Sequence, residues 1–464
     1  MGLISELICK NSCQGQALPE NIIFIAACNP YRQKYKKLNI DEKEICFDIQ
    51  EIKNINNSKK DKLVYNVNPL SHSLLNFVLN FGNLSSQDEK DYIKYIIKDI
   101  INNIYYEKQI MNNIKEKKDE DNNLKKLKNL AKDMIIEAQN YIREFTDKSS
   151  VSLREIKRFN IFYEFFNKYL NTKKVMINEI IINKEDKEFY SKLNDYSIQI
   201  YSLILSIFIS YYLKLTDKEK RNGFNERMNI LLKKFDISFK DANFTDIPIK
   251  EEIFLIDNIK LEKEIEKNNN LKENIFASFV AINNKVPIFI IGKEGCNNSL
   301  YIQLLIKTMQ GKLSDNPFFK KFPQILYYKY KGPLLNTSKE IENIFKNANI
   351  TYQRLKKDRE DEKIIFLILL DEMNLNMYSP NNPLKVILSE LEYNQKRDNH
   401  IAFIGLSNGK IDFEKMNRGI SIFISEQDEE ENKEKSLKNE ESFEQIPTFR
   451  NRIFSQKLYK FENF

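Results

Sequence analysis

The chain has 464 residues, 42% of them apolar, and carries 73 basic against 66 acidic side chains, a formal net charge of +7. That length suffices for about three domains at ~150 residues each, and so mild and dispersed a charge gives no strong pull toward nucleic acid or a membrane surface. Five cysteines without a C-x-x-C pair, with His72 and His400, make seven possible zinc ligands; a two-zinc RING needs about eight, four per ion, so this chain cannot build one, and the same cysteine pattern reads as a reduced, cytoplasmic protein without a disulfide framework.

The opening "MGLISEL" lacks a basic stretch leading into an apolar one, and Glu6 stands where a myristoylation motif takes Ser or Thr. Residues 21–28, "NIIFIAAC", form a short apolar run after "LPE" and predict a buried strand of a parallel sheet. From about residue 70 to 250 the pattern is long, helical and charged, with a Lys/Asp/Asn-rich stretch at 113–128 expected to be an exposed face or a loop. Within it, "YSIQIYSLILSIFISYYL" (196–213) is uncharged and long enough to span a bilayer. Ser202, Ser206 and Ser210 recur every four residues along it and would line one helix face, so the segment is read as a buried helix rather than a membrane span. Beyond residue 250 strands and helices alternate: "VPIFIIG" (286–292), a helix from about Ser299, "QILYYKY" (324–330), a helix opened by the capping box of Thr337 to Glu340, "IIFLILLDE" (364–372), a helix near 383–393, and "HIAFIGLSN" (400–408). This alternation predicts a doubly wound α/β sheet following an all-α region. The acidic run at 425–442 reads as a solvated segment, and 443–464 carries no assignable pattern. Asn and Lys are abundant throughout and Trp is absent, so lysine runs are read as composition before function.

Three strand ends carry the chemistry. The first, "IGKEGCNNSL" (291–300), places Gly292 and Gly295 in a loop that leads into a helix at Ser299, the geometry in which backbone N–H groups meet phosphate oxygens. The second, "FLILLDE", ends in Asp371 and Glu372, a Walker B arrangement in which Asp371 would orient Mg²⁺ through water and Glu372 would polarise the attacking water. The third ends at Asn408, a polar group suited to positioning that water. Gly292 and Ser299 fit the first and last positions of G-x-x-x-x-G-K-[ST], but Asn297 stands for the second glycine and Asn298 for the lysine. A positive charge ~4 Å from a phosphate oxygen is worth about 1 kcal/mol in water and ~4 kcal/mol at an effective dielectric of about 20, so nucleotide affinity and catalysis should both fall. Lys293 on the same loop is a possible substitute. Plainer readings stand beside these: Asp371 and Glu372 as a strand-end helix cap, Asn408 as a turn former before Gly409, and the aromatic and lysine residues of 317–331 as an edge of the sheet rather than a single-strand binder.

Several blocks resemble the mysterin family, giant proteins that join a dynein-like array of AAA+ modules to a RING-bearing ubiquitin ligase region. They are "LPENIIFIAACNPYR" (18–32), "LVYNVNPLSHSLLNFVLNFGNLSSQDEKDYI" (63–93), "SSVSLREIKRF" (149–159), "IFIIGKEGCNNSL" (288–300), "LLDEMNLNMYSPNNPLKVILSELE" (369–392) and "IAFIGLSNGKIDFEKMNRGI" (401–420). The resemblance covers roughly residues 1–425. It implies that 1–60 end one AAA+ large subdomain, that 61–250 are its helical small subdomain, that 251–425 are the next module's large subdomain, and that 426–464 follow as an acidic loop and tail. It also implies ATP and Mg²⁺ as cofactors and other AAA+ modules of a mysterin-type assembly as partners. In the first module Asn29 would be sensor 1, Arg32 a trans-acting arginine and Arg154 sensor 2. In the second, Asn408 would be sensor 1 and Arg418 the arginine that projects toward a neighbouring module's nucleotide. Family members usually keep lysine where Asn298 stands, the ligase region is not in these residues, and the first module's own phosphate loop would lie upstream of Met1. The chain therefore reads as a piece of a mysterin-type protein, either a short paralogue or an incomplete gene product. Three functions are carried forward: an AAA+ module with impaired ATP hydrolysis, an active ATPase compensated by Lys293 or a partner's arginine, and a nucleotide-free scaffold.

Overall fold

The computed structural model of the chain describes residues 2–28, 70–81, 84–112, 118–146, 150–177, 184–235, 243–261, 267–292, 298–331, 337–358, 363–373, 381, 383–396, 401–408 and 416–423. Residues 1–424 form one compact unit and 425–464 a second, which lies outside the described residues.

Five strands make a wholly parallel sheet: β3 (Ile288–Ile291), β4 (Gln324–Lys331), β5 (Ile364–Asp371), β6 (Ile401–Ser407) and β7 (Ile420–Phe423). Their order is β4-β5-β6-β3-β7. Parallel strands buried on both faces read as unbroken apolar runs, and "IFII", "IIFLILL" and "IAFIGL" are of that kind. One face, with Ile288, Ile290, Leu367, Leu369, Ile404 and Ile422, joins the main core. The opposite face, with Phe289, Phe366, Ile368 and Phe403, packs against Ile341, Ile344 and Phe345 of a helix and against Leu384, Ile387 and Leu391. Helices on both faces make this the doubly wound α/β architecture that the alternation predicts.

Ahead of the sheet stand α1 (Gly2–Lys10), a short hairpin β1 (Ser12–Cys13) and β2 (Gln16–Ala17), then α2 (Ser86–Asn112), α3 (Lys118–Phe145), α4 (Leu153–Val175), α5 (Lys184–Ser191), α6 (Asp195–Ser210), α7 (Lys218–Lys234), α8 (Asp246–Asp257) and α9 (Asn269–Asn283). The helices between and after the strands are α10 (Asn298–Thr308), α11 (Ser338–Asp358) and α12 (Ile387–Lys396). The main core runs without a break from α2 through α9 into the sheet. At the start of α11 the Thr337 hydroxyl donates to Glu340 at 3.2 Å, and the Glu340 N–H donates to the Thr337 carbonyl at 3.2 Å. Of the polar stretch at 113–128, residues 118–128 open α3, where Asn122, Asn123, Lys125 and Lys126 are exposed and Leu127 is buried.

The apolar segment at 196–213 is α6 and the turn after it. Every residue from Ile198 to Ser210 is buried. Two of the three serine hydroxyls return to their own helix, Ser202 donating to the Ile198 carbonyl at 2.7 Å and Ser206 to the Ser202 carbonyl at 2.5 Å, while the buried Ser210 hydroxyl has no partner. Residues Asp195–Lys214 are long and apolar enough to cross a membrane, and 83% of their apolar window is buried inside the protein.

The strand predicted at 21–28 does not form. The segment is unpaired, with Ile23 84% and Ile25 93% exposed. An apolar run becomes a buried parallel strand only when neighbouring strands and helices cover it; among the described residues, every strand of the parallel sheet comes from 288–423.

A buried carboxylate joins the helical region internally. Glu155 accepts from Lys214 at 2.8 Å, from Arg158 at 3.0 Å and from the Ser152 N–H at 2.6 Å, the last closing the capping box of α4. Burial alone would raise its pKa, but Lys214 and Arg158 outweigh that and hold it at about 2. Glu252 is the opposite case: burial, reinforced by Glu273, pushes its pKa well above the usual range, and its Oε1 has no hydrogen-bond partner.

Two outcomes follow from this contrast. Glu155→Gln leaves the buried Arg158 and the part-buried Lys214 without their counterion and is expected to cost about 3 kcal/mol in denaturant unfolding. Because the folded pKa is depressed, the Glu155 contribution is full above the ordinary glutamate range and fades as pH falls from 4.5 toward about 2. Glu252, whose folded pKa is raised, favours the fold most below that range and loses its contribution as pH rises above it. Glu252→Gln should therefore raise Tm at pH 7 in scanning calorimetry, and the gain should shrink toward pH 4.

Candidate functional site

Because all five strands are parallel, their carboxyl ends share one edge of the sheet. Gly292 follows β3 there, Asp371 and Glu372 close β5, and Asn408 follows β6. The Gly292 N–H donates to the Ser407 carbonyl at 3.0 Å, tying the ends of β3 and β6. β3 is also where the winding reverses, since the chain leaves it for the far edge, returns through β5 and β6, and crosses over to β7. Ligands of open α/β sheets bind outside the carboxyl ends at such a switch point. α10 begins at Asn298 directly after the loop, so its first N–H groups, which lack intrahelical acceptors, open onto this edge. Ser299 is half-buried in its first turn. Lys293 and Gly295 lie outside the described residues, and Asn298 is described by its backbone alone.

The carboxylate pair is held by its own strand and by the next. The Asp371 Oδ1 accepts the N–H of Glu372 at 3.0 Å, and its Oδ2 pairs with the Lys329 ammonium at 2.8 Å. The Glu372 Oε1 pairs with Lys331 at 2.5 Å, a contact that raises the Lys331 pKa. Glu372 has φ +53, in the left-handed region that costs a non-glycine residue of order 1 kcal/mol. The next residue, Met373, is fully buried. A Cβ at Gly405 would lie 2.3 Å from the Met373 sulfur and 2.9 Å from a Phe289 ring carbon, so β6 needs glycine there to seat Met373. The turn that presents Glu372 is thus pinned on the central strand.

Lys329 and Lys331, which pair with the candidate carboxylates, were passed over by sequence reasoning as composition. The available signal was their spacing, since alternate residues of a strand share a face. What the spacing could not supply is the register that sets Lys331 opposite Asp371.

Mg²⁺ is implied by the Walker B arrangement and takes hard oxygen donors, usually one or two carboxylates together with waters. Ser299 and Asp371 are of the right chemical type. As folded, however, both Asp371 oxygens are engaged and Glu372 is paired with an ammonium group, and no group of three or more His, Cys, Asp or Glu capable of holding a metal occurs among the described residues. The arrangement does not fit a divalent ion.

Asn408 is exposed at the end of β6. Arg418, just before β7, pairs with Glu392 of α12. Burial, then the nearby Arg154 and Arg158, hold the Arg418 pKa below its usual value. Arg154 is exposed on α4, whereas Arg158 is buried and donates to the Asn417 carbonyl. Although more than 260 residues of chain separate them, Arg418 thus lies within reach of the repulsive charge of Arg154. Asn29 and Arg32 lie outside the described residues.

Residues 264–431 match the family model described as the RNF213 AAA domain. The E3 ubiquitin-protein ligase rnf213-beta of Danio rerio is 27% identical over 448 residues, covering 92% of this chain. The E3 ubiquitin-protein ligase RNF213 of Homo sapiens is 26% identical over 434 residues, covering 90%. The chain spans about 8% of the length of these relatives. The solved structure of C. elegans PCH-2 overlaps 41% of this chain and 51% of its own at 17% identity, with a TM-score of 0.26 too low to carry an argument. The two ligase relatives align across nearly the whole chain, and the AAA-domain match falls on the sheet that carries the strand ends described above: the chain is similar to the RNF213, or mysterin, family over most of its length.

Proposed function

We propose that the α/β region is an AAA+ nucleotide-binding module of a mysterin-type ubiquitin ligase assembly, one that takes ATP into a backbone cradle but hydrolyses it poorly or not at all. The observation that carries this reading is the junction of β3 and α10. A helix opens at the carboxyl edge of a parallel sheet, at its switch point, with Asn298 in place of lysine. Helix N-terminal N–H groups can hold phosphate oxygens without a side-chain charge. The missing ammonium removes a contact that also stabilises charge in the transition state, so hydrolysis suffers more than binding.

The module's role is then architectural or mechanical. One core runs from the helical region into the sheet, so a displacement of either is felt by the other. In this reading Arg154 serves as sensor 2 of the preceding AAA+ module and Arg418 projects toward a neighbouring module's nucleotide, and the effect of the Arg154 charge on Arg418 supports placing the two near one another. The ubiquitin ligase activity named for the relatives belongs, in this reading, to the assembly rather than to these residues. A second reading, a nucleotide-free scaffold, has the Lys329 and Lys331 ion pairs in its favour.

Calorimetric titration with ATP separates the two. Asn298→Lys is expected to tighten binding by about tenfold or more, and Glu372→Gln in that background should abolish whatever turnover appears. No gain in either binding or turnover would refute the impaired-module reading and leave the scaffold. For the arginine, the test is a longer chain that carries the preceding module. There Arg418→Ala should slow ATP turnover by about 10³-fold, and an unchanged rate would remove Arg418 from that role.

A further inference from the structure

The ion pairs at the end of β5 have a consequence for the cation this centre can take. β4 and β5 run parallel in unbroken register from Gln324 with Ile364 to Lys331 with Asp371. Lys329 and Lys331 therefore stand on one face of the strand, Lys331 opposite Asp371 and Lys329 opposite Leu369, and their ammonium groups reach further along the neighbouring chain, Lys329 to Asp371 and Lys331 to Glu372. The first pair is partly shielded, with 30% of the Lys329 side chain and 20% of the Asp371 side chain accessible; in the second, Glu372 is 25% and Lys331 61% accessible. Shielding strengthens the attraction relative to a fully solvated pair. The remaining Asp371 oxygen accepts the Glu372 N–H.

The four side chains sum to zero: two carboxylates against two ammonium groups. A divalent cation arriving here meets a neutral centre, in which each carboxylate it could take is already held by an ammonium group. The lysines are not stand-ins for the charge missing at Asn298. β4 lies three strands from β3 in the sheet, about 14 Å at the usual spacing, beyond the span of a lysine side chain. Lysines on an edge strand also discourage pairing with other chains, but that role alone does not direct them onto the two carboxylates.

We propose that Lys329 and Lys331 are the resident countercations of Asp371 and Glu372, so that this centre excludes divalent metal and holds nucleotide, where it does so, in a metal-free form. The proposal rests on the reading of this edge as a nucleotide cradle, and it adds what that reading leaves open, the cation requirement. Lys329 is the dominant residue because its pair is the more shielded and involves the carboxylate implied for Mg²⁺.

The test is Mn²⁺ binding to the intact 464-residue chain, followed by electron paramagnetic resonance and calorimetry without nucleotide. The unsubstituted protein should bind Mn²⁺ weakly at this centre. Lys329→Gln, and more strongly Lys329→Gln with Lys331→Gln, should tighten it by about tenfold or more, and adding Asp371→Asn should reverse the gain. Lys329→Arg keeps the charge and should retain the original weak affinity. Circular dichroism and melting of each variant establish that the fold survives; should the double variant not fold, the single Lys329→Gln and Lys329→Arg pair decides the matter. Equal Mn²⁺ affinity in the folded Lys329→Gln variant and the unsubstituted protein would overturn the proposal, as would tight Mn²⁺ binding by the unsubstituted protein lost with Asp371→Asn. A fluorescent ATP analogue titrated in EDTA keeps the two readings apart. Nucleotide binding with no Mn²⁺ gain retains the cradle and refutes the countercations; a Mn²⁺ gain with no nucleotide binding retains the countercations as guardians of the carboxylates and refutes the cradle.

Discussion

Glu155 is the carboxylate on which the meeting of α4 with the turn after α6 depends. It is almost wholly buried and receives one cation from the turn after α6, another from its own helix and a backbone N–H from the cap of that helix. Burying so many charges is worthwhile only when each has its partner, because an ion pair stripped of one member leaves a charge in a medium that solvates it poorly. The pairing is therefore an all-or-none constraint on how α4 and the end of α6 meet. Through Arg158 the same cluster reaches the Asn417 carbonyl, three residues before β7. Helical region and sheet edge are thus linked by charge as well as by the apolar core that they share.

The second constraint is that all strands run the same way. It brings to one edge residues that the sequence scatters from Gly292 to Asn408, and it does so without any of them needing to touch. On that edge the electrostatics divide. The β3 end offers backbone donors and the start of a helix, a setting for anions. The β5 end offers carboxylates already matched by lysines. A helix start beside an acidic pair already neutralised by lysines is a different setting from one in which the carboxylates stand unpaired, and the difference originates in β4, the strand that contributes no residue to the recognised motifs.

What could be read in the sequence follows from how local each signal is. The strands β3, β5 and β6 were legible because a strand covered on both faces is apolar throughout, and Gly292, Asp371, Glu372 and Asn408 were legible because each sits where such a run stops. The same logic failed at 21–28: an apolar run states that a segment should be covered, not that its cover is at hand, and Ile23 and Ile25 stand in the open. Lys329 and Lys331 were illegible for a related reason. Their meaning depends on which strand lies beside β4 and in what register, a property of the assembled sheet rather than of "YYKYK". The proximity of Arg154 to Arg418 is likewise a product of tertiary packing, although each residue stood out individually.

The grip of Arg158 on Asn417 falls on a main-chain carbonyl. A peptide oxygen is the same whatever side chain accompanies it. Mutational drift at position 417 is therefore free to change the residue without touching the link, provided the backbone keeps its path, whereas position 158 has no such latitude, because only a guanidinium there serves Glu155 and the carbonyl at once. Two residues that share one bond thus live under unequal selection, and comparisons among relatives should find the arginine far more constant than its acceptor.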